Sequence, residues 1–63
     1  LEVDRFIDDA VMSGLGQITI IHGKGTGALR NAIHAHLRTH PSVKSYRLGT
    51  FGEGENGVTI VDI

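Results

Sequence analysis

The residues best placed to do chemistry stand in one short run, Ile20-Ile21-His22-Gly23-Lys24-Gly25-Thr26-Gly27-Ala28-Leu29-Arg30. A β-branched stretch leads into three alternating glycines and then into a helical pattern. Glycines let a backbone approach an anion closely, and the first N–H groups of the helix, with its dipole, point at that anion. Lys24 and Arg30 add formal positive charge at the same end. The spacing departs from the nucleotide fingerprints. G-x-G-x-G is one residue short of the dinucleotide pattern, and Lys24 is followed by Gly25 instead of the Ser or Thr that a P-loop uses on Mg²⁺. The run therefore argues for a phosphate cradle and against a nucleotide cofactor. A tight strand-to-helix connection is the plainer alternative, but three alternating glycines exceed what such a turn needs.

His22 falls at the C-terminal end of the strand, where open α/β sheets place ligands. It can act as general acid or base in phosphodiester cleavage, contact phosphate, or simply hydrogen-bond the turn and fix its shape. Arg30, His34 and Arg38 recur every four residues and form one stripe along the helix, away from Leu29, Ile33 and Leu37. Such a stripe is either a solvated face or an extension of the phosphate surface. His36 and His40 share metal-ligand spacing, yet no third ligand is evident and HExxH is missing, so no metal site is assigned. Glu53 and Glu55 either bring a carboxylate towards the site or form a solvated acidic loop. Tyr46 and Phe51 are too few for a base-stacking platform.

These residues need elements to position them. Residues 1–13 place Val3, Phe6, Ile7, Ala10 and Val11 at helical spacing, and Gly14 supplies a left-handed end. Residues 17–22, almost all apolar, predict a strand buried on both faces. Thr26 is the expected N-cap of a second helix over 28–39, which Pro41 ends. Residues 43–48 and 58–63 predict two more strands, joined by the glycine-rich loop GTFGEGENG. The strand–helix–strand unit predicts parallel neighbours with a crossover, and the last two strands an antiparallel hairpin.

Composition narrows the function classes. A 63-residue chain without cysteine has neither a disulfide framework nor a thiolate metal site, and holds one domain. No apolar run is long enough to span a bilayer, so no membrane role is expected and a cytoplasmic location is the default. The net charge of −1 conceals a segregation. Carboxylates stand only at the two ends, while the middle carries Lys24, Arg30, Arg38, Lys44, Arg47 and all four histidines. The chain opens at Leu1 inside a helical pattern, which reads as a piece of something longer.

The run HGKGTGALR (residues 22–30) resembles the HGxGxGxLR signature of Smr (small MutS-related) domains, which stand at the C-terminus of bacterial MutS-family paralogues. The tail RLGTFGEGENGVTIVDI and the segment FIDDAVMSGL are similar to the same family, so the resemblance covers essentially the whole chain. It implies an α/β fold: a two-layer open sandwich like the C-terminal domain of translation initiation factor three, with both helices on one face of a mixed sheet. The family order is βαβαββ. An LDLxG-like first strand carrying an Asp stands outside this sequence, leaving αβαββ and a free edge on the 17–22 strand. The resemblance further implies nicking of DNA or cleavage of RNA, with DNA (branched DNA included) or ribosomal RNA as partner. The parent would be an ATPase, homodimeric through other regions and acting in recombination suppression or ribosome rescue. On this reading His22 is the catalytic residue. Gly23, Lys24, Gly25, Thr26, Gly27, Arg30, His34 and Arg38 bind the nucleic acid. No cofactor is assigned and a divalent metal is left open. A non-catalytic docking module is the alternative.

Overall fold

The computed structural model describes residues 2–63. In order, it has helix α1 (Glu2–Met12), strand β1 (Gln17–Ile21), helix α2 (Ala28–Thr39), strand β2 (Ser45–Leu48), a short 3₁₀ turn (Glu55–Gly57) and strand β3 (Val58–Asp62). The expectation for α1 at Leu1 lies outside the described residues.

Helix α1 ends as its sequence dictates. Gly14 takes φ of +76°, its N–H bonds the Val11 carbonyl at 3.0 Å, and the Leu15 N–H bonds the Ala10 carbonyl at 3.1 Å. This double closure satisfies carbonyls that the helix leaves open and favours a residue without Cβ. Of the apolar positions on α1, Ile7 and Ala10 are buried, whereas Phe6 and Val11 stay about half exposed. Ile33 and Leu37 are the buried positions of α2.

The sheet order is β1-β3-β2, with both pairings antiparallel. The α/β class holds, and the expected 2:3 hairpin forms, but two details change. Strands β1 and β2 run in the same direction, as a crossover demands, yet they are not neighbours, because β3 lies between them. The described sheet is thus antiparallel throughout instead of mixed. Nor is β1 buried on both faces: Ile18 and Ile20 are covered while Gln17, Thr19 and Ile21 are exposed. Only β3, paired on both sides, is buried along most of its length. A five-residue apolar run specifies a strand, but whether a second layer covers its other face is a tertiary matter.

One core cluster joins the two helices to one side of the sheet: Ile7, Ala10, Ile18, Ile20, Ile33, Leu37 and Val61, with Val3, Val43, Tyr46 and Ile63 packed against it. Both helices therefore cover the same face. Register places Ile20 opposite Thr59 and Ile18 opposite Val61, so Thr59 points to the helix side at the end nearest the glycine turn.

Candidate active site

The glycine turn connects β1 to α2 across that end of the sheet. Gly23, Gly25 and Gly27 hold φ of +80°, +25° and +86°. The His22 and Gly23 amides both bond the Gly57 carbonyl, at 3.1 and 2.9 Å, pinning the start of the turn to the end of the 49–57 loop. Beyond that anchor, no acceptor among the described residues takes the amides of Lys24, Gly25, Thr26 or Gly27. These groups, with the positive end of the 12-residue α2, are what an anion would meet. They line a cleft of about 260 Å³ formed by residues 22–30.

The helix spans the residues the sequence suggests, but its cap is Gly27, one residue after the expected Thr26. Thr26 accepts from the Ala28 N–H at 3.3 Å through its hydroxyl. Gly27 is favoured by its left-handed φ of +86°. A Cβ there would stand 2.5 Å from Nη2 of Arg30, so the guanidinium folds back over the turn and faces the cleft.

Folding partly cancels the charge segregation of the sequence. Lys24 donates to Glu55 at 2.8 Å, and Arg47 pairs with Glu53 at 2.8 Å. The Arg47 guanidinium, helped by the Thr50 hydroxyl and amide, holds the Glu53 carboxyl down at about 2. The Lys24 ammonium likewise lowers Glu55. The acidic loop is thus a brace against the basic middle, not a free solvated segment. Among the described residues Arg30 and Arg38 form no ion pair, which leaves them available to a phosphate.

The Arg30–His34–Arg38 stripe is not a uniform solvated face. Arg38 is exposed and Arg30 half-buried, but His34 turns inward, 5.0 Å ring to ring from Tyr46. Its Nε2 lies 2.7 Å from Thr59 Oγ1. The same hydroxyl lies 2.8 Å from Nε2 of His22, and Nδ1 of His22 reaches the Gly23 carbonyl at 2.9 Å. Burial lowers the His34 pKa, and the nearby His22, Arg30 and Arg38 lower it further. Sequence reasoning missed Thr59 entirely. Its one signal was a hydroxyl inside the apolar run Val58-Thr59-Ile60-Val61.

His36 and His40 stand elsewhere, against α1. Asp4 accepts from His36, and His40 Nε2 lies 3.6 Å from Asp4 and 3.7 Å from Asp8. The His36 hydrogen bond lowers the Asp4 pKa. These contacts tie the two helices together. Among the described residues no group of three or more His, Cys, Asp or Glu is arranged to hold a metal, and no helix is long and apolar enough to cross a membrane.

A strand, a glycine turn with open amides, and a helix bearing an arginine over that turn are the features of one class of domain. All 63 residues match the Smr domain family, and the chain belongs to it. It is 65% identical over 63 residues to an endonuclease MutS2 of Caldicellulosiruptor bescii, and 65% identical over 60 residues to that of Clostridium novyi. It covers 100% and 95% of itself in these matches but spans only about 8% of the relatives' length. The fold matches the crystal structure of the Smr domain of Thermus thermophilus MutS2 with a TM-score of 0.94. That match has 46% identity and covers 97% of this chain and 76% of that one. The Escherichia coli stand-alone small MutS-related protein YdaL matches at 0.80 with 28% identity, covering 94% of this chain and 50% of that one.

Proposed function

We propose that this chain binds the backbone of DNA, and of RNA by the same chemistry, and nicks it by phosphodiester hydrolysis. The observation that carries the reading is the set of amides from Lys24 to Gly27, unbonded among the described residues, beneath Arg30, which forms no ion pair among them, directly beside His22. Such donors fit the charge that develops on phosphoryl oxygens during cleavage. His22 serves as the acid or base, and Arg38 extends the cationic surface along α2. No base-reading element accompanies the turn, so binding is sequence-independent and steeply salt-dependent. The relatives' name, endonuclease MutS2, agrees with this reading. The resemblance extends it to the C-terminal part of a cytoplasmic, homodimeric MutS-like ATPase acting in recombination suppression or ribosome rescue.

The test is nicking of supercoiled plasmid, with Mg²⁺ and with chelator, by wild type and His22→Ala. A loss on the order of 100-fold in the variant is expected of a general acid or base. Equal rates remove His22 from catalysis.

One observation favours a second reading, a non-catalytic module that docks its parent on branched DNA or ribosomal RNA. Both ring nitrogens of His22 are engaged by the protein, and Lys24 is held by Glu55. That reading expects no cleavage under either metal condition, and binding that disappears when Lys24 and Arg30 become Glu.

A further inference from the structure

Thr59 is fully buried, and among the described residues it is the one buried polar side chain. Valine would fill the same volume on β3 without placing a hydroxyl in the core, a group that is costly to bury unless bonded. Here the hydroxyl is bonded twice, to two imidazoles. The hydrogen inventory then fixes every tautomer along the chain. The Gly23 carbonyl can only accept, so Nδ1 of His22 carries a proton. In the neutral ring, Nε2 of His22 is then an acceptor and takes the single Thr59 hydroxyl hydrogen. Thr59 Oγ1 must therefore accept from His34, whose proton sits on Nε2. The Nδ1 of His34 has no hydrogen-bond partner among the described residues. The line reads His34 Nε2–H, Thr59 Oγ1–H, His22 Nε2, and on its far side His22 Nδ1–H at the glycine turn.

From this geometry we infer that Thr59 and His34 are positioning residues for His22: while the Gly23 carbonyl keeps its proton on Nδ1, at the turn, they orient the ring through Nε2 and replace that proton once it is given up. The inference rests on the reading of His22 as the acid that protonates a leaving oxygen. The transfer balances. His22 Nδ1 releases its proton to the leaving oxygen, and its Nε2 takes the Thr59 proton. Thr59 Oγ1 takes the proton of His34 Nε2, and solvent supplies one to His34 Nδ1. All three side chains end neutral with their tautomers reversed. The groups acting on His34 are His22 (6.1 Å ring to ring), Tyr46, Arg30 and Arg38. None is a carboxylate that would trap an imidazolium.

Long-range ¹H–¹⁵N correlation spectra of the wild-type protein above pH 7 read the tautomers directly and need no variant. The expected pattern is Nδ1–H for His22 and Nε2–H for His34. A His22 found as Nε2–H overturns the inference. In variants, Thr59→Val leaves His22 Nδ1–H on the Gly23 carbonyl but removes the group that passes a proton to Nε2, and slows nicking about 100-fold with nucleic-acid affinity unchanged. Thr59→Ser restores the rate. His34→Gln keeps a donor on Thr59 but cannot pass a proton, so nicking slows and its pH profile flattens. Thr59→Val nicking at the wild-type rate overturns the relay while leaving nuclease activity standing. If the wild type itself does not nick, the functional reading falls and the relay with it. The spectra then report separately whether His22 is still held as a donor.

Discussion

The four histidines divide into two pairs that share a residue type and little else. His22 and His34 meet across a buried hydroxyl, and neither ring is hydrogen-bonded to a carboxylate among the described residues. His36 and His40 meet Asp4 and Asp8 across the helix–helix seam. A carboxylate gives histidine a fixed acceptor and so a structural link, whereas a hydroxyl both donates and accepts and so joins two rings in one hydrogen-bonded line. The first pair is arranged for handling protons beside an anion cleft, the second for joining α1 to α2. Only the partner differs, and the partner decides the role.

The largest expected effect that separates the pairs is a crossed pair of variants. His22→Ala lowers plasmid nicking on the order of 100-fold in protein that is still folded. His36→Ala lowers the melting temperature but leaves nicking near the wild-type rate. If His36→Ala abolishes nicking in protein that is still folded, the two pairs do not have separate roles.

A smaller effect compares the turn with the far end of α2. Changing Lys24 and Arg30 together to Gln reduces the slope of log affinity against log salt by about 2, since each phosphate contact contributes roughly 0.9. Arg38→Gln, two helical turns further on, reduces it by about 1 or less. Equal losses would mean that the cleft at the turn has no special place in binding.

The smallest effect lies in acid stability. The His34 pKa is depressed in the fold, so the unfolded chain takes up that proton first. This penalty sets in as pH falls below the ordinary histidine value of 6.5. The Asp4 pKa is also depressed, so its stabilisation is present above the ordinary aspartate value of 3.8 and is lost as pH falls through the lower folded value. Melting curves against pH should show two separate declines. His34→Gln removes the upper one and Asp4→Asn reduces the lower, to which Glu53, Glu55 and Asp62 also contribute. A single decline that neither variant alters would contradict the separation.

Much of the architecture follows from local rules that the sequence alone displays. Apolar spacing and Gly14 set α1 and its end, because a left-handed closure tolerates no ordinary side chain. The glycine run and the following periodicity set the turn and the start of α2, apart from the single residue by which Gly27 displaces Thr26 as the cap. The cleft at residues 22–30 needed no tertiary information either, since a strand, a turn and a helix entry are contiguous in the chain. The family resemblance rested on the same contiguous run.

What only the tertiary structure decided depends on which distant segments are brought together. Strand periodicity carries no information about order, so the insertion of β3 between β1 and β2 was not legible. That insertion places Thr59, 37 residues from His22 and 25 from His34, between the two rings. Whether His34 faces water or the sheet depends on how α2 docks, and whether Asp4 finds His36 depends on how α1 lies beside it. Side-chain type and spacing fix what a residue is able to do. The packing of segments far apart in sequence fixes its partner, and with it the nitrogen that holds the proton.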